Sequence, residues 1–130
     1  MDVEVTRGVI ASLHREAARA APEECCGLLL GDANGPIDSI CAARNVAADP
    51  LRRFEIDPHV LLAAHKAARD GGPQVRGYYH SHPHGSSLPS ATDKEHSTGD
   101  CRIWAIIAGR DIAFWRDRGN GFDELTCRMA

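Results

Sequence analysis

The sequence has no apolar run approaching the ~20 residues that a membrane span requires. Its longest, Leu28 to Leu30 and Ile103 to Ala108, are strand-sized, so no membrane partner is expected. The opening Met1-Asp2-Val3-Glu4 lacks a basic segment leading into an apolar one. That pattern argues against a secretory signal and makes the cytoplasm the expected compartment. A basic excess is missing too: 15 Lys+Arg stand against 18 Asp+Glu, a formal charge of -3. With scattered arginines and no net positive field, binding nucleic acid by phosphate neutralisation is not its main task. Lysine occurs only at Lys66 and Lys94 amid abundant Ala and Arg, the bias of a GC-rich bacterial genome. The cysteines Cys25, Cys26, Cys41, Cys101 and Cys127 are odd in number and show no C-x-x-C spacing. This argues against a disulfide framework or structural zinc knot, and most of these thiols are expected as small buried apolar groups in a reducing compartment.

What is present describes an ordinary globule, with 43% hydrophobic and 25% charged residues in 130. A chain of this length forms one core, so one domain over residues 1–130 is expected, with no repeat or low-complexity linker. Thr6 is placed to cap a helix carrying Ile10, Leu13, Ala17 and Ala20 at three- and four-residue steps, ending before Pro22. Cys25 to Leu30 reads as a buried strand turning through Asp32 to Pro36 into Ile37 to Ala43. Arg52 to Ile56 reads as a short strand. Asp57-Pro58 then opens a second helix running to about Asp70, stopped by Gly71-Gly72-Pro73. Val75 to His82 reads as a strand ending at Pro83, Ser90 starts a short helix, and Arg102 to Ala108, Asp111 to Trp115 and Phe122 to Cys127 read as closing strands. This alternation predicts an α/β or α+β fold with helices packed on a central sheet.

The chemistry concentrates near the end of the Val75 to His82 strand. Alternate residues of a strand share a face, so His80 and His82 project together while Ser81 points away. Pro83 ends the pairing and leaves both imidazoles beside a loop. Taken alone, such a pair is equally the polar face of an exposed strand. It is followed by Ser90-Ala91-Thr92-Asp93, which has the form of a capping box and also sets Asp93 one helical turn in, able to complete a His, His, Asp set. Zinc sites in hydrolases typically use three N/O protein ligands and keep a fourth position for water. Such chemistry also needs a proton acceptor off the metal. Glu24, just before the buried run and near the flexible Gly27, is the best candidate, with Glu23 its competitor and a solvent-facing role open to either.

These residues resemble the JAMM, or MPN-plus, metallopeptidases of the Mov34/PAD-1 group. The pattern of that family is Pro-x-Glu-x-x-Gly, then His-Ser/Thr-His-Pro, six residues, and Ser-x-x-Asp. Here it reads Pro22-Glu23-Glu24-Cys25-Cys26-Gly27, then His80-Ser81-His82-Pro83 and Ser90-Ala91-Thr92-Asp93. The stretch Arg53-Phe54-Glu55-Ile56-Asp57-Pro58 is similar to the family's approach to its second helix. The resemblance selects Glu24 over Glu23. It implies a cytidine-deaminase-like mixed sheet flanked by helices. It also implies Zn2+ held by His80, His82 and Asp93, with Glu24 as base and the Ser90 hydroxyl on the oxyanion. The implied reaction is hydrolysis after the C-terminal Gly-Gly of a ubiquitin-like or sulfur-carrier protein, releasing an amino acid or a conjugated protein. Lacking the insertions of chain-specific eukaryotic relatives, the sequence resembles the minimal stand-alone bacterial and archaeal members. The residues leave the oligomeric state open.

Two other classes compete. A nucleobase deaminase would need His-x-Glu and Pro-Cys-x-x-Cys ligands, and neither occurs. A non-catalytic MPN scaffold, binding such a protein without cleaving it, keeps the fold but loses ligands, whereas all five residues are intact here. His84, Glu95 and His96 are expected as surface or substrate-contacting groups. His14, His59 and His65 are expected on helix surfaces, and Trp104 and Trp115 in the core.

Overall fold

The computed structural model describes residues 1–130. Seven strands and three helices follow in the order β1 (Asp2–Val5), α1 (Arg7–Ala20), β2 (Cys26–Gly31), β3 (Ile37–Ala43), α2 (Pro58–Arg69), β4 (Gln74–Ser81), α3 (Ala91–Glu95), β5 (Ile103–Ala108), β6 (Asp111–Asp117) and β7 (Phe122–Met129). The mixed sheet runs β1-β3-β2-β4-β5-β6-β7 and curls until β7 meets β1 in parallel, closing a barrel. The expected sheet with flanking helices is therefore present. β1 had escaped the sequence reading because its alternation lasts only four residues before the Thr6 cap, although Val3 and Val5 are both buried.

The local signals act as their chemistry dictates. The Thr6 hydroxyl accepts from Val9 N at 3.3 Å and opens α1. The Asp57 carboxylate accepts from His59 N at 3.0 Å, with Pro58 in the first turn of α2. Val9 and Leu13 of α1 pack with Val5, Leu29, Tyr79 and Phe114 in the main core. Trp104, Ile106 and Trp115 form a separate aromatic cluster, with Phe54, Tyr78 and Phe122 packed against it. Both tryptophans are core residues, as expected.

Two expectations need correction. Arg52 to Ile56 is not a strand; its one rung is the isolated bridge between Asn45 and Ile56. The Asn45 side chain explains this, because its Nδ2 donates to Arg53 O and its Oδ1 accepts from Glu55 N, taking up backbone groups that a ladder would use. Nor are most thiols buried: Cys25 and Cys26 are, Cys41 and Cys127 are half-buried, and Cys101 is exposed at φ 61°. Cys127 shares the face of buried Leu125 and packs at the rim of the main core, whereas Cys101 lies in the loop before β5, outside any strand.

Close backbone approach at Gly27 sets the spacing of β2 between β3 and β4. A Cβ there would lie 2.4 Å from Cys41 O and 2.5 Å from the Tyr79 ring. Gly27→Ala is expected to lower the unfolding free energy by ~1–3 kcal/mol, the usual cost of overpacking. A urea melt checks this, and an unchanged midpoint would show that the strands separate freely.

Candidate metal centre

β4 lies between β2, antiparallel with Cys26 opposite His80, and β5, parallel with His80 opposite Ile106. Continuing the β2 register backwards sets Glu24 across from His82. That extension is held by Ser81 N to Cys25 O at 3.2 Å, and by Cys25 N to the Ser81 hydroxyl at 2.8 Å. Ser81 thus faces away from the histidines and fastens the chain that carries Glu24. His82, one residue past the strand, is still tied to β5 through its N–H to Ile107 O at 2.8 Å.

The Nε2 atoms of His80 and His82 are 3.1 Å apart. His80 Nε2 lies 3.0 Å from Asp93 Oδ1, and His82 Nε2 lies 3.1 Å from Asp93 Oδ2. The two Nε2 atoms and the Asp93 carboxylate thus converge, each imidazole facing its own carboxylate oxygen, at separations near the roughly 3.3 Å edge of a tetrahedron with zinc-like bonds of ~2.0–2.1 Å. Two imidazole nitrogens facing each other and a carboxylate form a donor set suited to a divalent cation. One ligand atom from each of Glu24, His80 and His82 also falls within 4.8 Å of the others, so Glu24 borders the same point.

All these groups are withdrawn from solvent: His80 and Asp93 are 0% and 3% exposed, Glu24 and His82 6% and 9%. Burial lowers the pKa of His80 against the bond to Asp93, which favours the neutral ligand form. Burial acts to lower that of His82 as well, but Asp93, the Ser86 carbonyl and Glu24 raise it overall. For Asp93, burial pushes upward and is outweighed by the bonds to both imidazoles and Ser90, which hold the carboxyl well below the usual range. Burial pushes the Glu24 carboxyl up to about 7, with His82 opposing the rise and Asp93 adding to it. A carboxyl poised there can take and return a proton at neutral pH.

The two imidazoles are oriented differently. His82 Nδ1 donates to Ser86 O at 2.6 Å, which leaves Nε2 with its lone pair toward the centre. His80 Nδ1 is buried with no partner. Packing orients His80 instead: Phe54 stacks on it at 4.2 Å and 18°, and Trp104 meets it edge-on at 5.6 Å.

Ser90 is the N-cap of α3 and borders the site. Its hydroxyl accepts from Asp93 N at 3.0 Å while Asp93 Oδ2 accepts from Ser90 N at 2.9 Å, a complete capping box. The hydroxyl proton remains free to donate. Glu24, His82 and Ser90 line one cleft of about 550 Å³, together with Leu51, Arg52 and Leu88. Glu23 is exposed, as are His84, Glu95 and His96, which stand outside the converging set.

Asn45 was missed by the sequence reading. Its Nδ2 donates to Glu24 O at 3.0 Å, and Glu24 N donates to Pro50 O at 2.9 Å, so the loop after β3 fixes the backbone of the candidate base. No spacing rule links an asparagine at the end of one strand to a glutamate before another.

Residues 6–118 match the family described as prokaryotic homologs of the JAB domain. The chain is 36% identical over 125 residues to the desampylase of Haloferax volcanii, covering 92% of this chain and 88% of that protein. It is 34% identical over 107 residues to a probable TtuB-protein conjugate cleaving protease of Thermus thermophilus, covering 82% of this chain and 70% of that one. A solution structure of a Desulfitobacterium hafniense protein, 27% identical, superposes with a TM-score of 0.84 over 98% of this chain and 92% of that chain.

Proposed function

The chain belongs to the prokaryotic JAB-domain, or JAMM/MPN, family, and on that premise we propose that it is a zinc metallopeptidase cleaving ubiquitin-like or sulfur-carrier conjugates after a C-terminal Gly-Gly. The observation carrying this reading is the convergence of His80, His82 and Asp93 at 3.0 to 3.1 Å beside a buried Glu24. The names of the Haloferax and Thermus relatives support a protein conjugate as substrate. No helix is long and apolar enough to cross a membrane, and the cytoplasm is the proposed compartment.

His80 Nε2, His82 Nε2 and an Asp93 oxygen would hold the ion. Zinc bound there supplies Lewis acidity, lowering the pKa of water toward ~7 and polarising the scissile carbonyl. Glu24 accepts the water proton and later delivers it to the departing amine, a role suited to a carboxyl raised to about 7. The Ser90 O–H donates to the oxygen on which negative charge develops. Near Glu24 and His82 an extended tail approaches buried groups, and glycines at its end admit the main chain where larger side chains clash.

The direct test is metal analysis of the purified protein, combined with incubation against carriers ending in Gly-Gly linked to candidate amines. One zinc per chain and a fall in intact mass by the leaving group are expected. A protein that binds zinc yet cleaves no such conjugate overturns the substrate reading.

Ser90→Ala removes both the cap and the donor. Turnover should fall by ~2.7–4 kcal/mol of transition-state stabilisation, the size of one oxyanion donor. Stability should fall by ~0.5–2 kcal/mol for the lost cap. Ser90→Thr, which keeps acceptor and donor, should restore most of both. Kinetics per folded molecule separate the two effects: loss of stability with unchanged turnover would leave Ser90 a cap and nothing more.

A further inference from the structure

Asp93 sits on α3, which spans Ala91–Glu95 and has Asp93 as its only buried residue. Short helices in proteins are normally held by an apolar face against the core. This one has none, so something else must fix the position of a proposed metal ligand. Both ends of the segment around α3 are tied to one strand, β6.

On the near side, Trp115 Nε1 donates to Ser87 O at 3.0 Å. The neighbouring Ser86 O is the acceptor that orients His82. On the far side, the fully buried Asp117 takes the Ser97 hydroxyl and Gly119 N (2.9 Å) on Oδ1, and Thr98 N (3.1 Å) on Oδ2. No cation pairs with this carboxylate, and its partners are the chain just beyond α3 and the β6–β7 turn. Trp115 and Asp117 are alternate residues and therefore project from the same face of β6.

We propose that Trp115 and Asp117 are a pair of positioning residues, bracing the segment from Ser86 to Thr98 at its two ends and thereby holding His82 and Asp93 in metal-binding geometry. The inference rests on the metal reading above. Outer partners that orient ligands typically carry 10- to 100-fold of metal affinity.

The test uses Trp115→Phe, which keeps an aromatic ring and loses the indole donor, and Asp117→Asn, which keeps the shape and turns one acceptor into a donor. Asp100→Asn is the control. Asp100 accepts from Tyr78 Oη and Arg102 N further along the same loop and does not touch Ser97 or Thr98. Zinc affinity is read by competition with a chromophoric chelator, coordination by the visible spectrum of cobalt-loaded protein, and bracing by amide hydrogen exchange of the metal-free chain. Trp115→Phe and Asp117→Asn should each weaken zinc binding by roughly 10- to 100-fold, alter the cobalt spectrum and speed exchange across 86–98. Asp100→Asn should do none of these.

Lower thermal stability with unchanged zinc affinity and exchange would show that Trp115 and Asp117 are structural only and overturn the proposal. A wild-type chain that binds no zinc would instead overturn the metal reading, and the exchange data would then decide the bracing independently.

Discussion

Glu24→Gln should leave zinc content and carrier binding at wild-type levels while hydrolysis falls by at least ~10²- to 10⁴-fold, the contribution of a positioned general acid-base. The amide matches the carboxylate in shape but cannot take the proton. Nothing in the surroundings compensates, because Glu24 is 6% exposed and its backbone is pinned by Pro50 and Asn45. Glu24→Gln also removes a carboxyl that burial pushes up to about 7, so the folded protein should be at least as stable as the wild type. The control is Glu23→Gln: this side chain is exposed and the change should be nearly silent. Single-turnover cleavage and bound zinc, measured on the same preparations, decide the matter. Equal losses from both substitutions would misplace the base, and no loss from either would leave a metal-binding domain without the proposed mechanism.

His82→Ala and Asp93→Asn should each abolish stoichiometric zinc and with it detectable hydrolysis, since each removes one of three proposed protein ligands. The folds of these variants should persist. The main core, with Leu13, Leu29 and Tyr79 fully buried, lies apart from the centre, and a domain of this size does not depend on a metal to fold. Asp93→Asn tests the ligand most directly, because the amide oxygen can still accept from Ser90 N and preserve the capping box while the anionic ligand is lost. Zinc by mass spectrometry under native conditions and far-UV circular dichroism are the readouts. Full zinc in both variants would sink the assignment, and unfolding of both would make the metal structural.

The histidine pair, Ser90 and Asp93 were legible as candidates because strand parity and helix capping are local rules that act within a few residues. Glu24 was the leading candidate from its place before the buried run, but only the resemblance selected it over Glu23, because nothing local reveals which of two adjacent carboxylates turns inward. The structure separates them by register, since the antiparallel alignment of Cys26 with His80 brings Glu24 beside His82. The reading of Arg52 to Ile56 as a strand failed for a related reason. A run of suitable residues forms a ladder only if partner groups are free, and Asn45 had taken them. The unpartnered His80 Nδ1 and the Phe54 stack were likewise invisible, because they depend on which side chains meet across strands distant in sequence.

By itself, then, the sequence determined the chemistry available: a pair of imidazoles on one strand face, a capping serine with its aspartate, a choice of glutamates, and the three helices with most of the strands. These follow from backbone periodicities of two and about 3.6 residues and from capping, which operate over short distances. Tertiary structure alone decided that the sheet closes through β1 and β7, that Glu24 and not Glu23 is buried, and that a helix without an apolar anchor hangs between Trp115 and Asp117. Each of those outcomes depends on long-range register and on which buried polar groups find partners, neither of which a local sequence rule can specify.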